Sequence, residues 1–265
     1  MENLKLDAKL SLQEPAHLYY GGAWVPPLEG KYEDTFNPGT GERIGSVATA
    51  SRADVDAAVA AAKEGFEVWR DVVPLERARI LKEIANLLRK HGDELAMMDA
   101  ANCGNPYTEM RGDAAIAAAQ MEFFAGLVTE MKGDTIPMGP ERINMTLRQP
   151  MGVVARILAF NHPFMFCGGK MAAPLAAGNA VIIKPPVPLN RDAVDRGIFH
   201  NRNDQRVATG RNFNRFKQAR VLKTLKRIVH LTRRHCGTRR NSGHLQYRRI
   251  IGACVALNIK IIETE

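Results

Sequence analysis

Asn161, His162, Lys184 and four cysteines are the residues whose types and neighbours suggest chemistry in this sequence. Asn161 follows the apolar run at 152 to 159 (GVVARILA) and stands just before a proline and a small-residue stretch. That puts a side-chain amide where a strand gives way to a helix, at the carboxyl edge of a sheet, the usual ligand position in α/β folds. An N–H there can stabilise an oxyanion developing on a carbonyl. Equally, an Asn there can cap the helix. Lys184 ends a second β-rich run, 180 to 184 (AVIIK). Its rotatable donors suit a ribose or a 2′-phosphate, unless it is an ordinary surface lysine at a strand end. His162 is open to a general-base role or to capping and stacking. Cys167 lies near Asn161 without a base beside it in sequence, which suits a buried structural thiol. Cys236 sits in RRHCGTRR, where His235 and the arginines can depress its pKa, yet arginine crowding alone builds no reaction site.

The elements that must position these groups are readable from pattern. The two apolar runs, with small residues 168 to 177 between them, form a strand–helix–strand unit. Nearly continuous apolar runs suit parallel strands covered on both faces. Gly168 and Gly169 read as packing glycines, and no GxGxxG loop is present. Upstream, residues 19 to 50 read as short strands and turns. Ser51 with Asp54 three residues on predicts a capping-box helix start. Val55, Val59, Ala62, Phe66 and Trp69 then form one apolar face. Pro74 opens a second helix with Leu75, Ala78, Leu81, Ala85 and Leu88 inward, and Gly92 is its expected C-cap. A third helix is expected from Asp93 to about Asn102, and a long alanine-rich fourth from about Thr108 to Glu130. Residues 144 to 149 suit an exposed strand. The expected class is therefore α/β: a partial doubly wound (Rossmann-like) parallel sheet with a helical outer layer.

Composition divides the chain near residue 186. Of 37 basic and 28 acidic residues, 18 and 5 lie from Val187 onward, which leaves the earlier part acidic and the remainder strongly basic. No acid occurs between Asp204 and Glu263, and the regular apolar pattern largely fails there. Residues 213 to 231 allow one amphipathic basic helix, and 250 to 262 a strand or a short hydrophobic turn of helix. We therefore expect two units, 1 to 186 and a basic, Arg-rich tail at 187 to 265. No segment approaches 20 apolar residues, so no transmembrane helix is expected. The scattered cysteines show no CxxC or metal-ligand spacing, and residues 1 to 14 lack the apolar run of a secretory signal. A reducing cytoplasm and no metal site are the expectations.

Residues 157 to 186 (ILAFNHPFMFCGGKMAAPLAAGNAVIIKPP), preceded by FNPGTGE and the helix pair carrying WR and further arginines, resemble the aldehyde dehydrogenase family. The resemblance covers roughly 19 to 186. It is strongest in the Phe-Asn pair that opens the helix and the Lys-Pro-Pro that ends the second strand. It implies an NAD(P)-dependent oxidoreductase of the betaine-aldehyde-dehydrogenase type, turning aldehyde and water into carboxylic acid. It implies that Asn161 stabilises the oxyanion, that Ile157, Leu158, Ala159 and Phe160 floor the cofactor cleft, and that Lys184 binds the adenosine ribose. Members of the family often carry Glu three residues after this lysine; Val187 stands here, which leaves NAD against NADP open. The resemblance also implies an aldehyde substrate and self-association through the region near 135 to 150.

The family's chemistry also needs a cysteine nucleophile, a glutamate that activates water and a Gly-Ser-Thr-type turn. None has a counterpart after residue 186, so this chain reads as a truncated, catalytically incomplete form. The tail, with 14 arginines against 4 lysines, reads first as an out-of-frame or rearranged continuation. The alternatives are a non-catalytic binder of nucleic acid or an acidic partner, and a peripheral membrane helix.

Overall fold

A computed structural model describes residues 15–185 and 254–256. The amino-terminal part forms two hairpins. β1 (Leu18–Tyr20) pairs antiparallel with β2 (Ala23–Val25), and β3 (Tyr32–Phe36) pairs with β4 (Arg43–Ala48). Helix α1 (Arg52–Trp69) then starts as its sequence requires. Ser51 Oγ accepts from the Asp54 N–H at 3.3 Å, and the Asp54 carboxylate accepts from the Ser51 N–H at 2.8 Å. That carboxylate also accepts from the Leu28 N–H at 3.0 Å, so one buried acid satisfies two backbone donors. Ala62 and Trp69 of the expected face are buried, with Ala58 and Gly65 beside them. Val55, Val59 and Phe66 are only partly buried at its margin. The small residues at the centre let α1 lie close against the sheet, and the Trp69 indole N–H donates to the Leu175 carbonyl at 2.9 Å.

Pro74 is the first residue of α2 (Pro74–Lys90), where its missing N–H costs no hydrogen bond. Leu81, Ala85 and Leu88 are buried, whereas Leu75 points to solvent. The expected C-cap at Gly92 is corrected. His91 caps α2, its N–H donating to the Leu87 carbonyl, and Gly92 already belongs to α3 (Gly92–Cys103). The left-handed end comes instead at Gly104, φ 76°, where a Cβ would lie 2.9 Å from Pro38 Cγ. Helix α4 (Tyr107–Gly126) stops before the expected Glu130, and Val128–Glu130 form a separate 3-10 turn. Met110, Ala114, Ala117 and Met121 are its buried stripe.

Beyond α4, β5 (Thr135–Pro137) and β6 (Ile143–Met145) make a hairpin exposed at all six positions, and β6 begins one residue before the predicted strand. Next come β7 (Val153–Ile157), α5 (Pro163–Lys170), α6 (Ala172–Ala176) and β8 (Ala180–Lys184). β7 and β8 are parallel, in register from Val153↔Ala180 to Ile157↔Lys184. Gly168 is buried where α5 meets α4; a Cβ there would lie 3.1 Å from that of Ala117, the close approach that a packing glycine permits. β9 (Cys254–Ala256) runs parallel to β8 and antiparallel to β1, giving the strand order β2-β1-β9-β8-β7. The partial parallel α/β sheet with an outer helical layer is thus present. One expectation is corrected: β8 is buried throughout, but β7 is at the edge among the described strands and leaves Ala155 and Ile157 exposed. The candidate basic helix at 213 to 231 and most of the tail lie outside the described residues.

Candidate active site

The two parallel strands end together. The Leu158 N–H donates to the Lys184 carbonyl at 3.0 Å, so the ladder runs one residue past β7 before the chain turns away. The four residues expected to floor a cofactor cleft then divide by facing. Ile157 is 70% exposed and Ala159 is exposed, while Leu158 is buried in the main core. Phe160 packs against the separate cluster of Ala96, Cys103 and Met110. The open apolar surface at this strand end is therefore Ile157 and Ala159. Lys184 stands opposite Ile157 in the register and is only 8% exposed, so it is no ordinary surface lysine.

Asn161 lies in the turn before α5, but the cap position is His162, with no side-chain cap bond. The capping alternative for Asn161 is thereby corrected. Among the described residues its side-chain amide has no hydrogen-bond partner. Its backbone carbonyl accepts from Asn105 Nδ2 at 2.8 Å. His162 Nδ1 faces Asp113 Oδ2 at 2.9 Å, and its ring meets Phe166 edge-on at 6.3 Å. The Phe164 N–H donates to Asp99 Oδ2 at 3.3 Å. Burial holds the Asp113 carboxyl above its ordinary range, and the hydrogen bond from His162 offsets only part of that rise.

Sequence reasoning missed Asn105, Asp99 and Asp113. A faint signal existed for Asp113, a carboxylate three residues after Met110 on the apolar stripe of an alanine-rich helix. Asn105 follows the left-handed Gly104, a junction that gives no hint of its distant partner. Cys167 is buried, as a structural thiol should be, and Cys103 is a second buried free thiol. Burial pushes the Cys103 thiol up to about 12, which removes it as a nucleophile. Cys236 lies outside the described residues. Among the described residues no group of three His, Cys, Asp or Glu could hold a metal ion, and no helix is long and apolar enough to cross a membrane.

The sequence pattern of the aldehyde dehydrogenase family matches residues 24–188. This chain belongs to that family. An aldehyde dehydrogenase named tropH from Talaromyces stipitatus is 45% identical over 178 residues, covering 65% of this chain and 34% of that protein. A single-site mutant of an aldehyde dehydrogenase from Bacillus cereus superposes with a TM-score of 0.73 at 25% identity. That match covers 97% of this chain and 45% of the other. PnpE, solved in complex with nicotinamide adenine dinucleotide, superposes at 0.70 with 28% identity, over 92% of this chain and 41% of that one. A PnpE structure from Pseudomonas sp. WBC-3 gives 0.69 at the same identity, 28%, covering 92% and 41%. The chain thus spans about a third of the curated aldehyde dehydrogenase, at 34%, and under half of these structures.

Proposed function

We propose that this chain supplies the oxyanion donor and part of the nicotinamide-nucleotide cleft of an NAD(P)-dependent aldehyde dehydrogenase. The observation that carries the reading is the common end of β7 and β8, where exposed Ile157 stands opposite Lys184 and the chain runs on to Asn161, whose side-chain amide has no partner among the described residues. Those groups fit a nucleotide. Ile157 and Ala159 offer an apolar surface for a flat ring, and Lys184 offers a cation for a ribose hydroxyl or a 2′-phosphate. When bound, that cofactor supplies the hydride acceptor for aldehyde oxidation.

The chain's own contribution is charge stabilisation. As a thiolate adds to the aldehyde carbon, negative charge builds on the carbonyl oxygen. The Asn161 N–H is the donor we assign to it, a preorganised dipole whose loss in such sites costs about 2.7–4 kcal/mol of barrier. Cys103, its thiol pushed up by burial, and the buried Cys167 are not the thiolates we assign to that attack. Because the sequence after residue 186 holds no match to the family's cysteine nucleophile or water-activating glutamate, we expect this chain to bind nucleotide without turning over aldehyde. The exposed apolar residues Ile136, Ile143 and Met145 on the β5–β6 hairpin support self-association of the chain.

Calorimetric titration of the full chain with NAD⁺ and with NADP⁺ tests the reading. Binding of either, weakened at least tenfold by Lys184→Ala, is the expected result. The absence of heat with both nucleotides at millimolar concentration would sink it. Aldehyde-dependent NAD(P)H formation that disappears in Asn161→Ala would instead refute the inactivity of the chain.

A further inference from the structure

We propose that Asn105, Asp113 and Asp99 are positioning residues that clamp the turn carrying Asn161 and so aim its amide. The inference rests on the oxyanion reading for its purpose, though not for its geometry. The three side chains come from α3, α4 and the junction between them, and they act at three points along four residues. Asn105 holds the carbonyl of Asn161, Asp113 holds the ring of His162, and Asp99 holds the N–H of Phe164. Asp99 is fully buried and Asp113 almost so. Two buried carboxylates spent on one turn are costly unless each is hydrogen-bonded.

The turn is also held by Phe164, buried in the main core, and by the Phe166 N–H donating to the His162 carbonyl at 3.0 Å; the three side chains add fixed points from the helical layer. Helix α5 begins without a side-chain cap bond, since His162 turns its ring toward Asp113 instead. Asn161 itself is only half-buried, and its amide makes no hydrogen bond to a described residue. A donor left free in this way has several rotamers open to it, and fixing the backbone from which it springs narrows where they can aim it. Asn105 does this at the peptide carbonyl of Asn161 itself. Its own backbone is set by the preceding left-handed Gly104, and its N–H donates to Cys103 Sγ at 3.4 Å. The clamp therefore rests on the helical layer, and the sheet contributes nothing to it.

The test is the side-chain amide resonance pair of Asn161, read in the full chain labelled with ¹⁵N-asparagine and assigned by its loss in Asn161→Ser. Asn105→Asp exchanges the donor for an oxygen that repels the Asn161 carbonyl, and Asn105→Ala removes the donor with less disturbance. In either variant, with the remaining asparagine signals unmoved, the Asn161 pair should leave its wild-type position or broaden as its backbone is released. Asp113→Asn keeps an oxygen that accepts from His162 and should retain the wild-type pair, whereas Asp113→Ala should lose it. An Asn161 pair unmoved in Asn105→Ala and Asp113→Ala, in protein that melts cooperatively, overturns the clamp. So does an Asp113→Asn variant as disturbed as Asp113→Ala. No nucleotide is present in these spectra, so a failure of nucleotide binding would count against the proposed function alone.

Discussion

β7 and β8 run side by side in one parallel register, and both are short apolar strands, but they live in different environments. β8 lies between β7 and β9 and is buried at all five positions, Lys184 included. β7 lies at the edge of the sheet, with Ala155 and Ile157 open to solvent. Apolar residues on this exposed strand face are not covered by the core of the described residues. On the proposed reading, this apolar strand end is where the flat ring of a nucleotide would lie, and the apolar residues of β8 offer no such surface. The difference separates a strand whose apolar residues hold the fold, and which lends only its terminal Lys184 to the proposed site, from one that leaves apolar side chains open beside it.

The contrast breaks most visibly if a charge is placed in each strand. Val181 is fully buried in β8. Val181→Asp puts an unpaired carboxylate in the core and should cost on the order of 3–5 kcal/mol. Urea unfolding should show a collapse of the midpoint or no folded baseline at all. A midpoint within the error of wild type would mean that β8 is not the interior strand.

How far this division was legible depends on the range of the interaction involved. The capping box of Ser51 and Asp54, the first-turn position of Pro74 and the span 180 to 184 were readable, because each is set by neighbours a few residues apart. Gly92 was misassigned because a glycine suits either end of a helix, and only the backbone angles at His91 and Gly104 decide. The edge position of β7 was not readable, since an apolar run has the same letters whether one face or two are covered. The expected cleft floor was legible as a segment, but not which of its side chains turn outward; Leu158 and Phe160 turn in. Asn105 and Asp113 escaped for a simpler reason. Their partners lie 56 and 49 residues away, and no local pattern records such pairings.

A smaller effect sharpens the comparison at the layer behind the site, where Phe160 leaves β7 to pack beside Cys103. Burial raises the Cys103 thiol from 9.0 to about 12, so the folded chain keeps the proton at pH values where the unfolded chain loses it. The unfolded state then binds fewer protons, and stability must fall as pH rises. Below pH 9 both states are protonated and the contribution is flat. Between about 9 and 12 it should fall by about 1.4 kcal/mol per pH unit. Cys103→Ala should be less stable at pH 7 but lack this slope, as urea midpoints at stepped pH would show. An unchanged slope in the variant would assign it to other groups.

The smallest expected change in stability belongs to Ile157, and it says the most about function. The side chain is 70% exposed, so Ile157→Thr removes little buried surface and keeps the β-branched shape that a strand favours. Its cost should stay within about 0.5 kcal/mol, the range of substitutions away from packed features. If the apolar strand end is the floor of a nucleotide cleft, the same change should weaken NAD⁺ or NADP⁺ binding several-fold while the urea midpoint holds. A loss of both together would make Ile157 a packing residue, and the edge would then differ from the interior only in degree. A loss of neither would leave its exposure without a ligand to account for it. Binding lost at constant stability is the one outcome that a purely structural edge strand does not produce.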